Sequence, residues 1–220
     1  MKNLLKLSWK TEIASWVIIV LSWAAAIYFY QHLPAVVPTH WNFAGQANGW
    51  SNTAFAAFFL PGLTSAMYLL FLLIPYLDPR RERFAEFAGA YAMFRSALLL
   101  FMLAVYVCTS LVGLGYNIPI ALVMPVAVGL LFGVMGYYLQ KVKSNWTIGI
   151  RNPWTLSDEK IWQATNKLAG QVFYLSGLLI IVTIFLPDAW RLWVFILAVL
   201  LIIVVPNLYS LIRYFGSKKK

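Results

Sequence analysis

The chain has 220 residues, of which 62% are hydrophobic and only 11% are charged. Soluble domains carry about 25% charged residues, so this chain has too few charges to cover a water-facing surface. The composition therefore excludes a soluble globular protein and indicates that lipid surrounds most of the chain. The net charge of +10 does not indicate nucleic-acid binding, because the basic residues are distributed as a membrane topology signal. The single cysteine, Cys108, excludes a disulfide framework.

Six apolar stretches are long enough to cross a bilayer, which needs roughly 20 helical residues. Helices are expected because an open strand would leave its amide groups unsatisfied in hydrocarbon. We therefore predict an all-α polytopic membrane protein in which residues 1–220 form one six-helix domain, with halves at 1–114 and 115–220. The predicted spans are Ile13–Leu33, Thr53–Leu77, Ser96–Leu114, Ile118–Leu139, Leu168–Leu186 and Trp190–Ile212.

The positions of the Lys and Arg residues predict how the spans are oriented. Sixteen of the 17 fall on one side of the predicted membrane, in the N-terminal tail, in Asp78–Arg95, in Lys141–Lys167 and in the tail from Arg213. Arg191 lies on the other side. Because short cytoplasmic loops carry an excess of Lys and Arg, we predict that both termini are cytoplasmic and that the basic segments attract anionic membrane lipids.

The longest predicted outer loop, Pro34–Asn52, contains no Lys, Arg, Asp or Glu. Its sharpest feature is His40, which is a candidate ligand contact, a candidate metal ligand or a histidine that bonds loop carbonyls. A stable metal site needs three or four ligands, and His32 is the only other histidine, so we predict no metal and no cofactor. Trp41, Asn42 and Gly45 follow His40 and indicate a folded loop.

The longest predicted inner loop, Lys141–Lys167, mixes polar, turn-forming and aromatic residues, which predicts a structured loop. It either binds a partner or closes the inner end of the bundle, and the residues leave both possibilities open. We expect the guanidinium of Arg151 to stack on a neighbouring indole and to donate to loop carbonyls or acidic side chains. Thr155 and Asp158 have capping-box spacing at a helix start. The candidate site residues are Asn145, Trp146, Gly149, Arg151, Pro153, Trp154 and Trp162.

The segment Asp78–Arg95 carries aromatic residues at helical spacing, which predicts an amphipathic helix on the inner membrane surface. These aromatic residues are Phe84, Phe87, Tyr91 and Phe94. We expect Arg95 to belong to this helix or to snorkel to the surface from the third span. The alternative is a buried cation that marks a pathway.

The chain lacks the groups that common membrane activities need. Its seven acidic residues fall in predicted loops or at span ends, whereas coupled transporters usually keep a carboxylate at mid-membrane. No H-E-x-x-H, G-x-S-x-G, C-x-x-C or P-loop pattern occurs, and we predict that the chain is not an enzyme. Two alternatives stay open: a transporter or flippase of a small or lipidic molecule, and a membrane enzyme that uses His40 with a second catalytic group.

Both long loops resemble a known family. The inner stretch N-W-T-I-G-I-R-N-P-W-T-L-S, from Asn145 to Ser157, is similar to the signature of the SdpI family of sporulation-delaying-protein immunity proteins. The outer pattern L-P-x-x-V-P-x-H-W-N-x-x-G, from Leu33 to Gly45, resembles the domain of unknown function that commonly precedes it. Two departures are Asn152, where the family signature has Thr, and the stretch QANGW after Gly45, which puts the specificity for an outer ligand in doubt.

The resemblance implies a six-span immunity protein of the bacterial cytoplasmic membrane that protects against, or senses, a hydrophobic peptide toxin. The family's founding member also holds a transcriptional repressor at the membrane when toxin is present. The resemblance therefore implies two partners, a peptide at the outer face or in the bilayer and a repressor at the inner face. It implies no direct contact with nucleic acid.

The predicted topology is testable with a reporter that is active only outside the cell. Fusions after residues of the predicted outer loops should be active because those loops carry few basic residues, and fusions after inner residues should be silent. The outer positions are Asn48, Tyr116 and Asp188, and the inner positions are Glu82, Ser157 and Lys220. An active reporter at Ser157 would reverse the assignment of the two faces.

Overall fold

The computed structural model describes residues 9–217. Lys2, Lys6 and residues 218–220, which contribute to the predicted cytoplasmic tails, lie outside the described residues. The structure is 78% helical. The α-helices of the described part are α1 Trp9–His32, α2 Thr53–Leu77, α3 Ala88–Gly113, α4 Ile120–Leu139, α5 Pro153–Ser157, α6 Glu159–Val182 and α7 Asp188–Ser217. All except α5 are long and apolar enough to cross a membrane, which confirms the six predicted spans.

The all-α prediction left out a β-hairpin in the predicted outer loop, where β1 (Val36–Trp41) pairs antiparallel with β2 (Ala47–Asn52). The turn forms because Asn42 Oδ1 accepts hydrogen bonds from the backbone N–H groups of Ala44 (3.0 Å) and Gln46 (2.9 Å). Gly45 has a φ of +79°, which glycine adopts without strain. Sequence reasoning assigns no strand here because a proline, Pro38, interrupts β1.

The two ends of the helix bundle differ in charge. The hairpin end carries the hairpin, the start of α4 and the start of α7. The opposite end, which we call the basic end, carries the α2–α3 connection and the α4–α6 connection. Within residues 9–217, Arg191 is the one Lys or Arg at the hairpin end. The assignment of the basic end to the cytoplasm stays a prediction.

The spans pack as two groups of three that meet along α3 and α4. Helices α1, α2 and α3 contact one another, and α6 packs against both α4 and α7. Glycines bring α4 and α6 together: a Cβ added at Gly129 would lie 2.6 Å from the carbonyl oxygen of Gly177, and one at Gly136 would lie 2.6 Å from that of Gly170. Small residues of this kind allow close helix contact, and hence dispersion attraction, in a membrane.

The expected surface helix is wrong. Residues Arg81–Glu86 form a short 3₁₀ helix, and α3 already begins at Ala88. The helical spacing of the aromatic residues comes from burial in the protein rather than from contact with the membrane surface. A cluster of mainly aromatic side chains lies at the basic end, and we call it the aromatic cluster. It contains Phe71, Phe84, Phe87, Tyr91, Val142, Ile148 and Trp162.

Arg95 is buried inside the first group of helices, contrary to the expectation that it snorkels or lies in a surface helix. Its Nη2 lies 2.7 Å and 2.8 Å from the carboxylate oxygens of Glu12 on α1. The hydroxyl of Tyr68 on α2 donates to the same carboxylate at 2.9 Å and accepts from Trp16 Nε1 at 2.7 Å. Three helices therefore meet at one ion pair, and Glu12 is a buried carboxylate in the first turn of α1, at the end of its span as predicted.

Replacing one member of this pair should destabilise the protein strongly. Arg95→Gln leaves the buried Glu12 carboxylate without its cation, which costs about 3–5 kcal/mol in a low-dielectric site. Arg81→Gln is the matched control because Arg81 is exposed at the same end, and it should change stability by less than about 0.5 kcal/mol. Thermal unfolding of the detergent-solubilised variants measures both effects. Equal midpoints for the two variants would contradict a structural role for the ion pair.

Candidate functional site

The hairpin lies across the ends of both helix groups. Near its base, Val37 is buried with Leu33 and Tyr106 of the first group. At its tip, Phe43 packs against Phe195 of α7 with ring centroids 5.6 Å apart. A Cβ at Gly45 would lie 2.8 Å from the Cβ of Ala121 at the start of α4. The hairpin thus connects the N-terminal spans to the C-terminal spans at this end.

The outer motif residues divide into turn-forming and exposed positions. Asn42 and Gly45 shape the turn. His40 is exposed, and its Nδ1 lies 2.6 Å from Asn48 Oδ1 on the facing strand. The ring is therefore oriented by β2, a partner that sequence reasoning missed.

A cavity of about 310 Å³ lies beneath the hairpin tip, where the two helix groups meet. We call it the seam cavity. Most of its lining is apolar, and the polar side chains include those of His40, Asn42 and Arg191. The lining comes from residues 39–43 of the hairpin, Val105 and Thr109 of α3, Ile120, Ala121, Met124, Pro125 and Val128 of α4, Ile180 and Thr183 at the end of α6, and Arg191 and Phe195 of α7.

The surroundings of His40 bear on the alternative functions. A transporter would be favoured by a polar cavity at mid-membrane, whereas the seam cavity is mainly apolar and lies at the hairpin end. An enzyme using His40 would need a second catalytic group, and the hydrogen-bond partner of the His40 ring is the neutral amide of Asn48. Among residues 9–217, no group of three or more His, Cys, Asp or Glu side chains could hold a metal ion.

At the basic end, the inner loop folds into a compact cap built on two buried polar residues. Asn145 Oδ1 accepts from the N–H groups of Thr147 (2.8 Å) and Ile148 (2.7 Å), which closes a turn. Asp78, in the α2–α3 connection, accepts from Trp146 N at 2.9 Å and Thr147 Oγ1 at 2.7 Å. The carboxylate of Asp78 therefore attaches the inner loop to the first helix group.

Gly149 and Trp162 hold the cap against α6. Gly149 has a φ of +114°, and an added Cβ would lie 2.8 Å from Asn166 Oδ1 and 2.9 Å from the Trp162 ring. Trp162 is fully buried, and its Nε1 donates to the carbonyl of Val142 at 2.9 Å. Asn166 Oδ1 accepts from the N–H of Ile150 at 2.9 Å. The glycine is required by both its backbone conformation and the close approach of α6.

The expected role of Arg151 is confirmed in part. Its Nη1 donates to the backbone carbonyl of Trp146, which closes the loop. Among the described residues, the guanidinium neither stacks on an indole ring nor contacts Asp158 or Glu159. Arg151 and Trp146 are both exposed, and Trp154 is half-buried. The motif thus has a buried side that organises the cap and an exposed side that a partner can reach.

The predicted capping box is wrong by three residues. Asn152 caps α5 by accepting from Thr155 N at 2.9 Å, and Thr155 Oγ1 accepts from Asn152 N at 3.1 Å. Pro153 follows at the first helical position, where its missing N–H removes no helical hydrogen bond. Asp158 separately caps α6. The Asn152 side chain, at the position where the family signature has Thr, also donates to Ser210 Oγ on α7 at 2.8 Å.

Two arginines of the α2–α3 connection complete the attachment of the cap. Arg80 donates to Ser144 Oγ and to the carbonyl of Leu156. Arg83 forms an ion pair with Glu159, and the hydrogen bond to this carboxylate raises the pKa of the Arg83 guanidinium above its ordinary value. Sequence reasoning read these basic residues as a topology signal, which gave no indication that they bind the inner loop.

Comparison with known proteins places both motifs in described families. Residues 17–64 match a domain of unknown function, DUF1648, and residues 141–210 match the SdpI/YfhL protein family. The chain is also 29% identical over 201 residues to the immunity protein SdpI of Bacillus subtilis strain 168, which covers 91% of this chain and 94% of that protein. The resemblance to the SdpI family is confirmed. No solved structure matches the chain.

The two matched regions meet in space at the hairpin end. The DUF1648 region supplies the hairpin, and the SdpI region supplies Ile180, Thr183, Arg191 and Phe195 of the seam cavity. The six spans and the similarity to SdpI together make the chain a multi-pass protein of the bacterial plasma membrane. The chain is a homologue of an immunity protein.

Substituting Gly149 should destabilise the cap. Gly149→Ala forces a Cβ into a left-handed conformation, which costs about 1–3 kcal/mol, and adds the collision with Asn166 and Trp162. Gly89→Ala is the control because Gly89 lies near the same end with no atom within 4 Å of an added Cβ. Thermal unfolding in detergent should show a lower midpoint for Gly149→Ala alone. A normal midpoint for that variant would mean that α6 moves away from the loop without cost.

Proposed function

We propose that this chain protects a bacterial cell from a membrane-active peptide toxin, or senses that toxin, without catalysing a reaction. The observation that carries the proposal is the similarity to the immunity protein SdpI, which covers 91% of the chain and includes both loop motifs. The arrangement of the hairpin and the cap supports it, because two well-formed surfaces lie at opposite ends of one helix bundle.

In this proposal the hairpin is the contact surface for the peptide. The hairpin carries no charged side chain, and Val36, Phe43 and Trp50 are 65%, 46% and 57% exposed. Apolar side chains at the membrane interface favour contact with a hydrophobic peptide that has partitioned into the bilayer. The exposed ring of His40, oriented by Asn48, offers a polar contact beside them.

The cap is the surface that responds on the other side of the membrane. Trp146 is 50% exposed, and the neighbouring Arg151 is also exposed, so both can contact a transcriptional repressor. The cap is bonded to the α2–α3 connection through Asp78 and to α7 through Asn152. A change in the packing of these helices therefore changes the surface that the cap exposes to the repressor.

Coupling between the two ends follows from differential binding. A peptide shifts the bundle only if it binds one arrangement of the helices more tightly than another. The hairpin contacts both helix groups, so a peptide on the hairpin acts where the groups meet. The cap also bridges the two helix groups, so a change in their arrangement alters the conformation of the cap.

The proposal is tested in a Bacillus subtilis strain that lacks its own immunity protein and is exposed to its secreted peptide toxin. Expression of this chain should restore survival. His40→Ala should reduce survival at least tenfold at normal protein abundance, since losing one contact worth about 1.4 kcal/mol weakens binding tenfold. His32→Ala is the matched control, because His32 is exposed at the same end but stacks on Tyr28.

The control outcomes separate three cases. If His40→Ala lowers abundance together with survival, the histidine has a structural role. If both histidine variants protect fully, the hairpin ring does not contact the peptide. If the unmodified chain gives no survival at normal abundance, the chain does not confer immunity to this toxin.

A further inference from the structure

The seam cavity has the length and the lining of a site for an alkyl chain. Along α4 the lining runs from Ile120 to Val128, which is about 12 Å at 1.5 Å per residue. Most of the side chains over this length are apolar, so an extended alkyl chain can lie along the cavity in apolar contact.

The interior of the cavity suits such a chain. Its deeper part is lined by Val105, Met124, Val128 and Ile180, which are all apolar. These side chains come from α3, α4 and α6. A polar ligand entering this region would lose hydrogen bonds to water without replacement, whereas each buried methylene group gains about 0.8 kcal/mol.

The rim of the cavity carries a cation with spare hydrogen-bonding capacity. Arg191 Nε donates to the carbonyl of Leu186 at 3.2 Å, and Nη1 forms an ion pair with Asp188 at 2.8 Å. Within the part of the chain that the structure describes, Nη2 donates to no protein group. The Asp188 side chain is 60% exposed, and exposed ion pairs contribute little, so an incoming anion can compete with it.

A planar guanidinium with free donors binds carboxylate or phosphate oxygens. Arg191 lies at the start of α7, at the same level as the hairpin, so it faces the headgroup region when α7 crosses the bilayer. The anion is therefore joined to the alkyl chain that the cavity holds. An acyl chain with an anionic headgroup has this combination of properties.

We propose that the seam cavity binds one acyl chain of an anionic membrane lipid, whose phosphate or carboxylate group pairs with Arg191. The lipid packs against the DUF1648 hairpin and the SdpI helices at once, and so it stabilises their contact. Asp188 competes with the headgroup and sets the affinity. This site goes beyond the proposed function, since it binds a resident lipid rather than a toxin.

Native mass spectrometry of the detergent-purified full-length protein tests the proposal by counting retained lipids. The probes are phosphatidylglycerol, phosphatidylcholine with the same acyl chains, and dodecanoate. Both lipids carry a phosphate, but the choline cation of phosphatidylcholine offsets the phosphate charge and repels the Arg191 guanidinium. Phosphatidylglycerol should therefore bind at least tenfold more tightly than phosphatidylcholine. Displacement of phosphatidylglycerol by dodecanoate would show that the site recognises an alkyl chain with an anionic group. Binding of dodecanoate alone would overturn the membrane-lipid assignment and identify a free fatty acid as the ligand.

Three variants and two controls test whether the lipid lies in the cavity. Arg191→Gln should weaken phosphatidylglycerol binding at least tenfold, and Asp188→Asn should strengthen it. Met124→Trp should block binding by filling the cavity. Leu122→Trp is its control, because Leu122 is exposed on the same helix and does not line the cavity. Arg213→Gln, at the other end of α7, should bind as the unmodified protein does.

Several results would overturn the proposal. Equal binding of the two phospholipids would show that the net charge of the headgroup does not contribute to binding. Unchanged binding to Arg191→Gln, which alters only a rim side chain, would place the lipid elsewhere even if Met124→Trp fails to fold. An equal loss with Arg213→Gln would indicate non-specific attraction to basic residues. Recovery of a peptide instead of a lipid from the cavity would assign it to a different ligand.

Discussion

Polar groups within the membrane must find their partners inside the protein, because hydrocarbon offers none. The buried pair of Glu12 and Arg95 meets most of this requirement, since the carboxylate also accepts from the hydroxyl of Tyr68 and the three residues belong to three helices, while Arg95 Nε has no hydrogen-bond partner among the described residues. Breaking such a pair is costly even where forming it adds little net stability. The pair therefore specifies how α1, α2 and α3 are rotated and at what height they meet.

The same requirement shapes the cap at the basic end. Its backbone turns through non-helical segments, and the freed N–H groups are accepted by Asp78, Asn145 and Asn166. The aromatic cluster beneath them excludes water from these bonds. The family signature is therefore mainly a set of residues that fold the loop. Trp146, Arg151, Pro153 and Ser157 are the signature positions whose side chains are exposed.

At the hairpin end, the geometry gives a physical reason for finding the two family regions in one chain. The tip of the hairpin reaches Phe195 and Ala121, so neither region alone encloses the seam cavity. A ligand at this position contacts both helix groups and can favour one relative arrangement over another. His40 and Phe43 line the cavity and are also part of the exposed hairpin surface, so a lipid in the cavity and a peptide on the hairpin would share these contacts.

The sequence by itself determined the number of spans, since apolar length is a local property, and it indicated the resemblance to the SdpI family, since the motif residues are contiguous. It also identified His40, Trp146 and Gly149 as candidates. Only the tertiary structure decided that Arg95 pairs with Glu12, which is 83 residues away, and that Arg191 lies at the rim of a cavity. Such contacts depend on helix rotation and on which helices are neighbours. Many rotations place an apolar helix equally well in lipid, so hydropathy cannot select one, whereas side-chain packing and buried hydrogen bonds do.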